Sequence, residues 1–300
     1  MSLQHTSSHI WNELLGSFIK LASPHIGKSP LSYHCHQDLW DRRFVAHFGL
    51  TVHSAVDVWQ IVKNFFKKYR LLKIHYLWAL HYLKVYPTEA VAAAKFNTSE
   101  SNWRDKVYHS ITCFGFMDEI HFEDQFEQWS CTQPSCYVDG VDMMVSEARP
   151  LDKDLFSHKF KRAGYRYQVA VALGTSKIVY VGGGVPCGKW PDLKLVKQTL
   201  LKRVEPHEKV AADQGYVRDP RLMIRVPATS VQNANHNYNL KQMGARHETV
   251  NRRFKDFQIL TSLFRSDRNS HARIFKAVAQ ITQVKMRRQP LYDITERLRL

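Results

Sequence analysis

The sequence predicts an α/β protein in which a mixed sheet flanked by helices follows an all-α helix-turn-helix module. Between residues 46 and 129, apolar residues recur at helical spacing with few strand-like alternations. After Pro134 the pattern changes to consecutive strands and then to alternating strands and helices, which is typical of a mixed sheet covered by helices. We therefore expect a partly disordered N-terminal segment at 1–45, the helical module at 46–130 and the sheet domain at 131–300.

The composition indicates a globular protein with polyanionic partners. The chain has 300 residues, of which 44% are hydrophobic, and this is enough to bury a sizeable core. Its 43 Lys and Arg against 27 acids give a formal charge of +16. Residues 241–300 alone hold 14 basic and 5 acidic residues, so more than half of the excess lies there. A charge balance of this kind favours nucleic acid as the partner.

Neither a membrane-spanning segment nor a secretory leader is expected. We find no uninterrupted apolar run near the roughly 18 residues that a spanning helix needs. The N-terminus lacks a basic region followed by a long apolar one. The five cysteines, an odd number at irregular spacing, fit reduced thiols better than a disulfide framework. We expect no membrane partner, and a location in the nucleus if the source is eukaryotic or otherwise in the cytoplasm.

The helical module contains the pattern of a helix-turn-helix in "YPTEAVAAAKFNTSESNWRDKVYHSI". Thr88 can cap a short Ala-rich helix, residues 97–98 supply a turn, and Ser99 can cap a second helix. Such a second helix can enter a major groove while its basic residues contact phosphates. We therefore predict that Arg104 and Lys106 bind DNA.

The sheet domain is predicted from strands and helices in a fixed order. Three strands come first, followed by a helix, a short buried strand and a late helix. These are "SCYVDGVDMMVSE", "YRYQVAVALG", "KIVYVGGG", "KWPDLKLVKQTLLKRV", "EKVAADQGY" and "GARHETVNRRFKDFQIL".

Three carboxylates lie at informative points of this order. Asp139 lies within the first strand, Asp213 at the end of the fourth, and Glu248 near the start of the late helix. The three can meet at one edge of the sheet, where they would repel one another unless a cation is present. Enzymes that gather acids in this way usually hold divalent metal, and two Mg²⁺ or Mn²⁺ ions about 3.5–4 Å apart can promote phosphodiester displacement. We predict a two-metal site with all three acids as ligands.

The late helix is predicted to be amphipathic. Its apolar residues recur at spacings of three and four and form one stripe, which comprises Val250, Phe254, Phe257, Leu260 and Phe264. At roughly 100° per residue, the opposite side carries Glu248, Asn251, Arg252 and Lys255. The simplest interpretation is a solvated basic face. With Glu248 as a metal ligand, however, Arg252 and Lys255 become candidates for DNA contacts. Arg246 either orients Glu248, contacts DNA or lies solvated on the surface.

Several of these segments resemble a known family. "VDGVDMMVSEARP", "PCGKWPDLKL", "VAADQGY" and "ARHETVNRRFKDFQIL" look like blocks of DDE-superfamily endonuclease domains, as in PIF/Harbinger and insertion-sequence type transposases with an RNase H-like fold. The resemblance spans roughly residues 137–293. It implies that Asp139, Asp213 and Glu248 are the catalytic acids of metal-dependent DNA cleavage and strand transfer. It also implies transposon ends and target DNA as partners; some members need an accessory Myb-like DNA-binding protein, and a homo-oligomer is a further expectation.

Four alternatives stay open. Asp142 also lies on the first strand and rivals Asp139 as the first ligand, although an offset of three residues points it to the opposite face. Asp192 either caps the helix that follows it or lies near the metals. A catalytically silent transposase derivative that binds DNA or a protein partner would keep the same fold. So would a host nuclease that cuts without transposing.

Two other patterns fail on their spacing. His34, His36, Cys131 and Cys136 match no zinc-finger spacing, and we interpret them as packing and surface residues. "GGGVPCGKW" has the glycine and lysine spacing of a phosphate-binding loop, but Trp190 stands where Ser or Thr would bind magnesium. Neither pattern predicts a ligand site.

Overall fold

The structure, a computed structural model, describes residues 2–129, 134–216 and 219–299. The chain divides into two compact units. The helical unit comprises Met1–Met117 and Asp256–Ile259, and the sheet unit comprises Asp118–Lys255 and Leu260–Leu300. The domain boundaries expected from the sequence stay predictions, and Cys131 lies outside the described residues.

The helical unit contains six helices packed around aromatic side chains. Helices cover most of residues 2–45, where Phe18, Trp40 and Phe44 are fully buried. In the described residues, no helix is both long and apolar enough to cross a membrane. The helices are α1 (Ser2–Ile26), α2 (Gln37–Phe48), α3 (Val52–Lys68), α4 (Lys73–Val85), α5 (Glu89–Lys95) and α6 (Glu100–Gly115).

The helices α5 and α6 begin where the sequence predicts. The Thr88 hydroxyl accepts a hydrogen bond from the Val91 amide, and the Ser99 hydroxyl accepts one from the Asn102 amide. Between the helices, Asn97 adopts a left-handed conformation with φ of 50°, which asparagine tolerates better than most residues. These caps and this turn form the predicted pair of helices.

The sheet unit is built on a mixed sheet of six strands. Their order is β2-β3-β1-β5-β6, and β4 also pairs with β3, on the side away from β1. β3 is antiparallel to β1, β2 and β4, whereas β5 is parallel to both β1 and β6. The strands are β1 (Cys136–Met144), β2 (Phe156–Ser157), β3 (Arg162–Ala172), β4 (Ile178–Pro186), β5 (Val210–Ala212) and β6 (Leu222–Met223).

Four helices follow in this part of the chain: α7 (Asp192–Gln198), α8 (Val231–Lys255), α9 (Gln258–Thr261) and α10 (His271–Arg288). The predicted fold class, an α/β mixed sheet flanked by helices after an all-helical region, is confirmed. The late helix differs from its prediction because α8 ends at Lys255. Phe254 belongs to the sheet unit, but Phe257 packs in the helical unit, against Gly49, so the predicted apolar stripe does not lie on one helix.

The two faces of the sheet bury different clusters. Tyr137 of β1 and Ala211 of β5 pack with Leu240 and Met243 of α8, on what we name the α8 face. On the opposite α7 face, the alternate residues of the same strands pack with α7 and the turn that follows it. That cluster includes Cys136, Val138, Val210, Ala212, Val196 and Leu200. Because side chains alternate along a strand, this assignment fixes which face each neighbouring residue occupies.

Candidate active site

Asp139 and Asp213 lie side by side at one end of the parallel strand pair. Tyr137 is in register with Ala211 and Val138 with Ala212, so the two aspartates occupy the next position on each path. Neighbouring strands lie about 4.8 Å apart. Counting two residues on from Tyr137 and Ala211 puts both aspartates on the α8 face.

Helix α8 is bonded to the strand beside Asp139. The His247 imidazole lies 2.9 Å through Nε2 from the carbonyl oxygen of Val169, and Val169 is the residue of β3 directly opposite Asp139. The preceding Arg246 donates to the carbonyl oxygens of Ala172 at 2.5 Å and Thr175 at 2.6 Å. These contacts fix the segment of α8 next to Glu248 against β3 and the turn that follows it.

The three carboxylates share one electrostatic environment. Burial raises the pKa of Asp139 to about 6, and the negative charges of Glu248 and Asp213 add to this effect, although the Gly140 amide, 2.7 Å from Asp139 Oδ1, opposes it. Burial also raises the pKa of Tyr137, with Asp139, Asp213 and Glu248 all contributing. Asp139 is half-buried, whereas Asp213 and Glu248 are exposed. The negative charges of Asp213 and Glu248 therefore both act on Asp139.

This donor set suits a hard divalent cation. It offers only carboxylate oxygens, and the pKa of Asp139 is raised first by burial and then by the charges of Glu248 and Asp213, against a smaller opposing effect of Lys159. Within the described ranges, no three His, Cys, Asp or Glu residues lie close enough to form a ready-made metal group. Mg²⁺ is usually held by one or two carboxylates together with substrate phosphates, so two adjacent aspartates fit it without a complete protein cage.

The comparison with protein families identifies the class of domain. Residues 138–283 match the family described as DDE superfamily endonuclease. The chain carries a DDE superfamily endonuclease domain. Asp139, Asp213 and Glu248 all lie within the match. Neither the curated proteins nor the solved structures provide a match to the chain.

Asp142 of the endonuclease domain is engaged in a different network. Its carboxylate accepts hydrogen bonds from Arg166 Nε at 2.8 Å and from Ser157 Oγ at 2.7 Å. Burial alone would raise the pKa of Asp142, but the bonds from Arg166 and Ser157 outweigh it and lower the pKa. Asp142 is therefore already paired, and its offset of three residues from Asp139 puts it on the α7 face.

Asp192 belongs to the same network. Its Oδ2 lies 3.4 Å from Nη1 of Arg166, and a Cβ atom at Gly140 would lie 2.1 Å from its Oδ1. Gly140 directly follows Asp139, so its outward direction is the α7 face. Asp192 thus lies on the α7 face of β1, opposite to the face that Asp139 occupies. Sequence reasoning missed Arg166, although a lone cation within the strand "YRYQVAVALG" is a usable signal.

The candidate DNA-binding residues of α8 fall into two groups. Glu248, Arg252 and Lys255 are exposed at positions i, i+4 and i+7, so they share one face. Arg246, expected at the surface in one interpretation, is only 2% exposed, and its guanidinium is taken up by carbonyl oxygens. Asn251, expected beside Glu248, is 3% exposed and faces His247. Both side chains are therefore buried and not available at the surface.

Of the candidate DNA-binding residues of α6, Arg104 is exposed and Lys106 is partly exposed, and both are paired with acids. Arg104 Nε lies 2.8 Å from both carboxylate oxygens of Glu89, and Lys106 Nζ lies 2.9 Å from Asp105 Oδ2. His109 also contacts Asp105, at 3.2 Å. These cations can meet phosphate only by giving up or sharing their carboxylate partners.

Proposed function

We propose that this chain is a DDE transposase-type endonuclease that cleaves DNA phosphodiester bonds and transfers the cut strand. Asp139, Asp213 and Glu248 act as its catalytic acids. The observation that carries the proposal is the register of β1 and β5, which sets Asp139 beside Asp213 under the helix of Glu248. The match to the endonuclease family over residues 138–283 supports the same reaction class.

The three acids would hold Mg²⁺ or Mn²⁺ as a two-metal site. When bound, the metals would supply an activated water and stabilise the leaving oxygen. The carboxylates of Asp139 and Asp213 provide the hard oxygen ligands, and Glu248 on α8 provides the third acid. The charges of Glu248 and Asp213 that raise the pKa of Asp139 are the charges that a bound cation would neutralise.

The chain's own cations would hold the DNA backbone. Arg252 lies one helical turn beyond Glu248 and Lys255 nearly two turns beyond it, all on the exposed face of α8. Phosphates near the scissile bond would therefore meet positive charge next to the acids. In the helical unit, Arg104 and Lys106 of the helix-turn-helix would add contacts once DNA competes with Glu89 and Asp105.

The natural substrates follow from the family resemblance. They would be the ends of a transposon and its target DNA, in the nucleus of a eukaryotic source or the cytoplasm of a bacterial one. An accessory Myb-like protein and self-association into a homo-oligomer belong to the same proposal. A reaction with the purified chain alone tests the chemistry first, because it requires neither.

A nicking assay tests the proposed activity. Supercoiled plasmid carrying the element's ends is incubated with the wild type in Mn²⁺, Mg²⁺ or chelator, beside Glu248→Gln. Glu296→Gln is the matched control, because Glu296 is an exposed glutamate of the same unit, outside the three acids. We expect nicking that needs metal and Glu248 but not Glu296. Retardation of the same DNA without nicking by the wild type would instead favour a catalytically silent DNA-binding derivative.

A further inference from the structure

The contact between His247 and Val169 ties α8 to the strand that pairs with β1. Val169 lies directly opposite Asp139 in the antiparallel pair of β3 and β1. The 2.9 Å contact joins the Val169 carbonyl oxygen to His247 Nε2. A carbonyl oxygen can only accept, so Nε2 carries the hydrogen. This single bond connects the residue before Glu248 to the residue paired with Asp139.

The imidazole is held in this orientation from several sides. His247 is 1% exposed, and its ring lies 5.5 Å from the ring of Tyr137, centroid to centroid. Its other nitrogen, Nδ1, lies 3.4 Å from Nδ2 of Asn251, which donates to it from the next turn of α8. With a carbonyl oxygen at Nε2 and an amide donor at Nδ1, the ring uses one nitrogen as donor and the other as acceptor.

A buried histidine with a hydrogen-bonded carbonyl could serve packing alone, so the position of the bond matters. His271 provides the comparison: it is fully buried, burial lowers its pKa to about 4, and Nδ1 lies 2.6 Å from the Tyr167 hydroxyl. His271 begins α10, which carries none of the three acids. His247 instead lies on the helix that carries one acid and bonds the strand position opposite another.

We infer that His247 is a positioning residue, whose Nε2 bond to Val169 fixes the part of α8 that carries Glu248 relative to the strand position opposite Asp139, so that both acids can share a metal. The inference rests on the proposed function, since it gives the three acids a common metal. Without this bond, α8 would keep its apolar contacts and the Arg246 bonds to Ala172 and Thr175. It would lose the restraint nearest to Glu248, and the carboxylate would sample a wider range of positions.

The test replaces His247 in two ways and His271 in one. His247→Leu replaces the imidazole, with its Nε2 donor, by an apolar side chain of similar size. His247→Gln can restore it, because a glutamine amide nitrogen reaches about as far as Nε2. His271→Leu is the matched control for the loss of a buried histidine. Mn²⁺ binding without DNA is measured by electron paramagnetic resonance, and nicking is measured against Mn²⁺ concentration.

We expect His247→Leu to raise the Mn²⁺ concentration at half-saturation about 10-fold or more, the range seen when groups that orient metal ligands are lost. His247→Gln should stay within about 3-fold of the wild type by the same principle. His271→Leu should lower the melting temperature without moving the Mn²⁺ midpoint. Equal Mn²⁺ midpoints for His247→Leu and wild type, or equal shifts for both leucine variants, would overturn the inference.

Hydrogen exchange separates this inference from the proposed function. A peptide covering residues 240–255 should exchange faster in His247→Leu, return towards wild-type protection in His247→Gln, and stay protected in His271→Leu. If the wild type neither binds Mn²⁺ nor nicks DNA, the proposed function is overturned. The exchange pattern would still show whether the bond of His247 to Val169 holds α8 in place. Unchanged exchange of residues 240–255 in His247→Leu would refute the positioning role of His247, whatever the nicking activity of the variant.

Discussion

Arg166 and Asp142 form a bidentate ion pair on the α7 face, with Nε 2.8 Å from Oδ1 and Nη2 3.1 Å from Oδ2. The Asp142 side chain is 5% exposed and that of Arg166 is 15% exposed. Arg166 also donates to the Trp190 carbonyl and approaches Asp192, so one cation serves two carboxylates. On the α7 face of β1, Arg166 therefore balances the negative charge of Asp142, which would otherwise be buried without a counter-charge.

Arg166→Met should destabilise the protein strongly, because it leaves Asp142 charged, buried and bonded only by neutral groups. Losing one partner of a buried pair costs about 3–5 kcal/mol. The measurement is urea unfolding followed by tryptophan fluorescence, with Arg203→Met as the control at an exposed pair with Glu123. A loss below about 1 kcal/mol, the usual upper value for exposed pairs, would contradict the buried-pair interpretation.

The same pair gives the stability a defined pH dependence. The folded-state pKa of Asp142 lies below its ordinary value, so its stabilisation is fully present above the unfolded pKa of about 3.9. That stabilisation is lost as the pH falls through the folded value. In Arg166→Met, burial raises the pKa of the unpaired Asp142, so its carboxyl is protonated at higher pH than in the wild type. The stability difference between the wild type and Arg166→Met should therefore be largest near neutral pH and shrink as the pH falls. A difference that grows on acidification would refute this sign.

Asp139→Asn should stabilise the metal-free protein at neutral pH. The folded-state pKa of Asp139 is about 6, above the unfolded value. Ionisation of Asp139 therefore destabilises the folded protein increasingly as the pH rises from the unfolded pKa to the folded pKa, and fully above the folded pKa. Each pKa unit corresponds to about 1.4 kcal/mol, which gives a gain of about 1–3 kcal/mol at pH 7.5. The gain should fade between pH 6 and pH 4, where the wild-type carboxyl becomes protonated, as thermal melts across this range would show.

Metal provides the control for Asp139→Asn. Saturating Mn²⁺ should stabilise the wild type by mass action and leave the variant nearly unchanged, because the amide is a poorer ligand than the carboxylate. The order of melting temperatures should therefore reverse when metal is added. If both proteins respond equally to Mn²⁺, Asp139 is not a metal ligand.

Much of this arrangement can be predicted from the sequence. The succession of the main strands and helices and the caps of α5 and α6 follow from local periodicity and capping chemistry, whereas the role of the three acids stays a prediction. What local periodicity does not contain is the rotation of a helix against its sheet. The helical spacing of apolar residues placed Asn251 among the exposed residues of α8. In the structure, His247 contacts the Val169 carbonyl oxygen and Asn251, one turn further along, is buried.

Two further features depend on long-range partners. Arg246 has the most polar side chain type and still lies buried, because carbonyl oxygens of Ala172, Thr175 and Tyr292 surround it. The residue spacing within α8 cannot predict these contacts, because the three carbonyl groups lie 46 to 74 residues away in the sequence. The end of α8 at Lys255 has the same origin, since Asp256–Ile259 belong to the helical unit.

Gly140→Ala should destabilise the protein, because its Cβ would lie 2.1 Å from Asp192 Oδ1. Arg166 restrains Asp192, so the carboxylate cannot move freely, and overpacking of this kind costs about 1–3 kcal/mol. Gly16→Ala is the control, because nothing in the described structure lies within 4 Å of the added carbon. Adding Asp192→Ala to Gly140→Ala should recover part of the loss; additive effects would mean that the two residues do not interact.

Removing Arg252 or Lys255 should weaken DNA binding with a distinct salt signature. Each phosphate contact contributes about 0.9 to the slope of log affinity against log salt, so each alanine variant should flatten the slope by about 1. Lys177→Ala is the control, because Lys177 is already paired with Asp124 and Glu127. Lys106→Ala should flatten the slope less, since DNA must compete with Asp105 for this cation. If Lys106→Ala flattens the slope more than either α8 variant, the main backbone contacts belong to the helix-turn-helix.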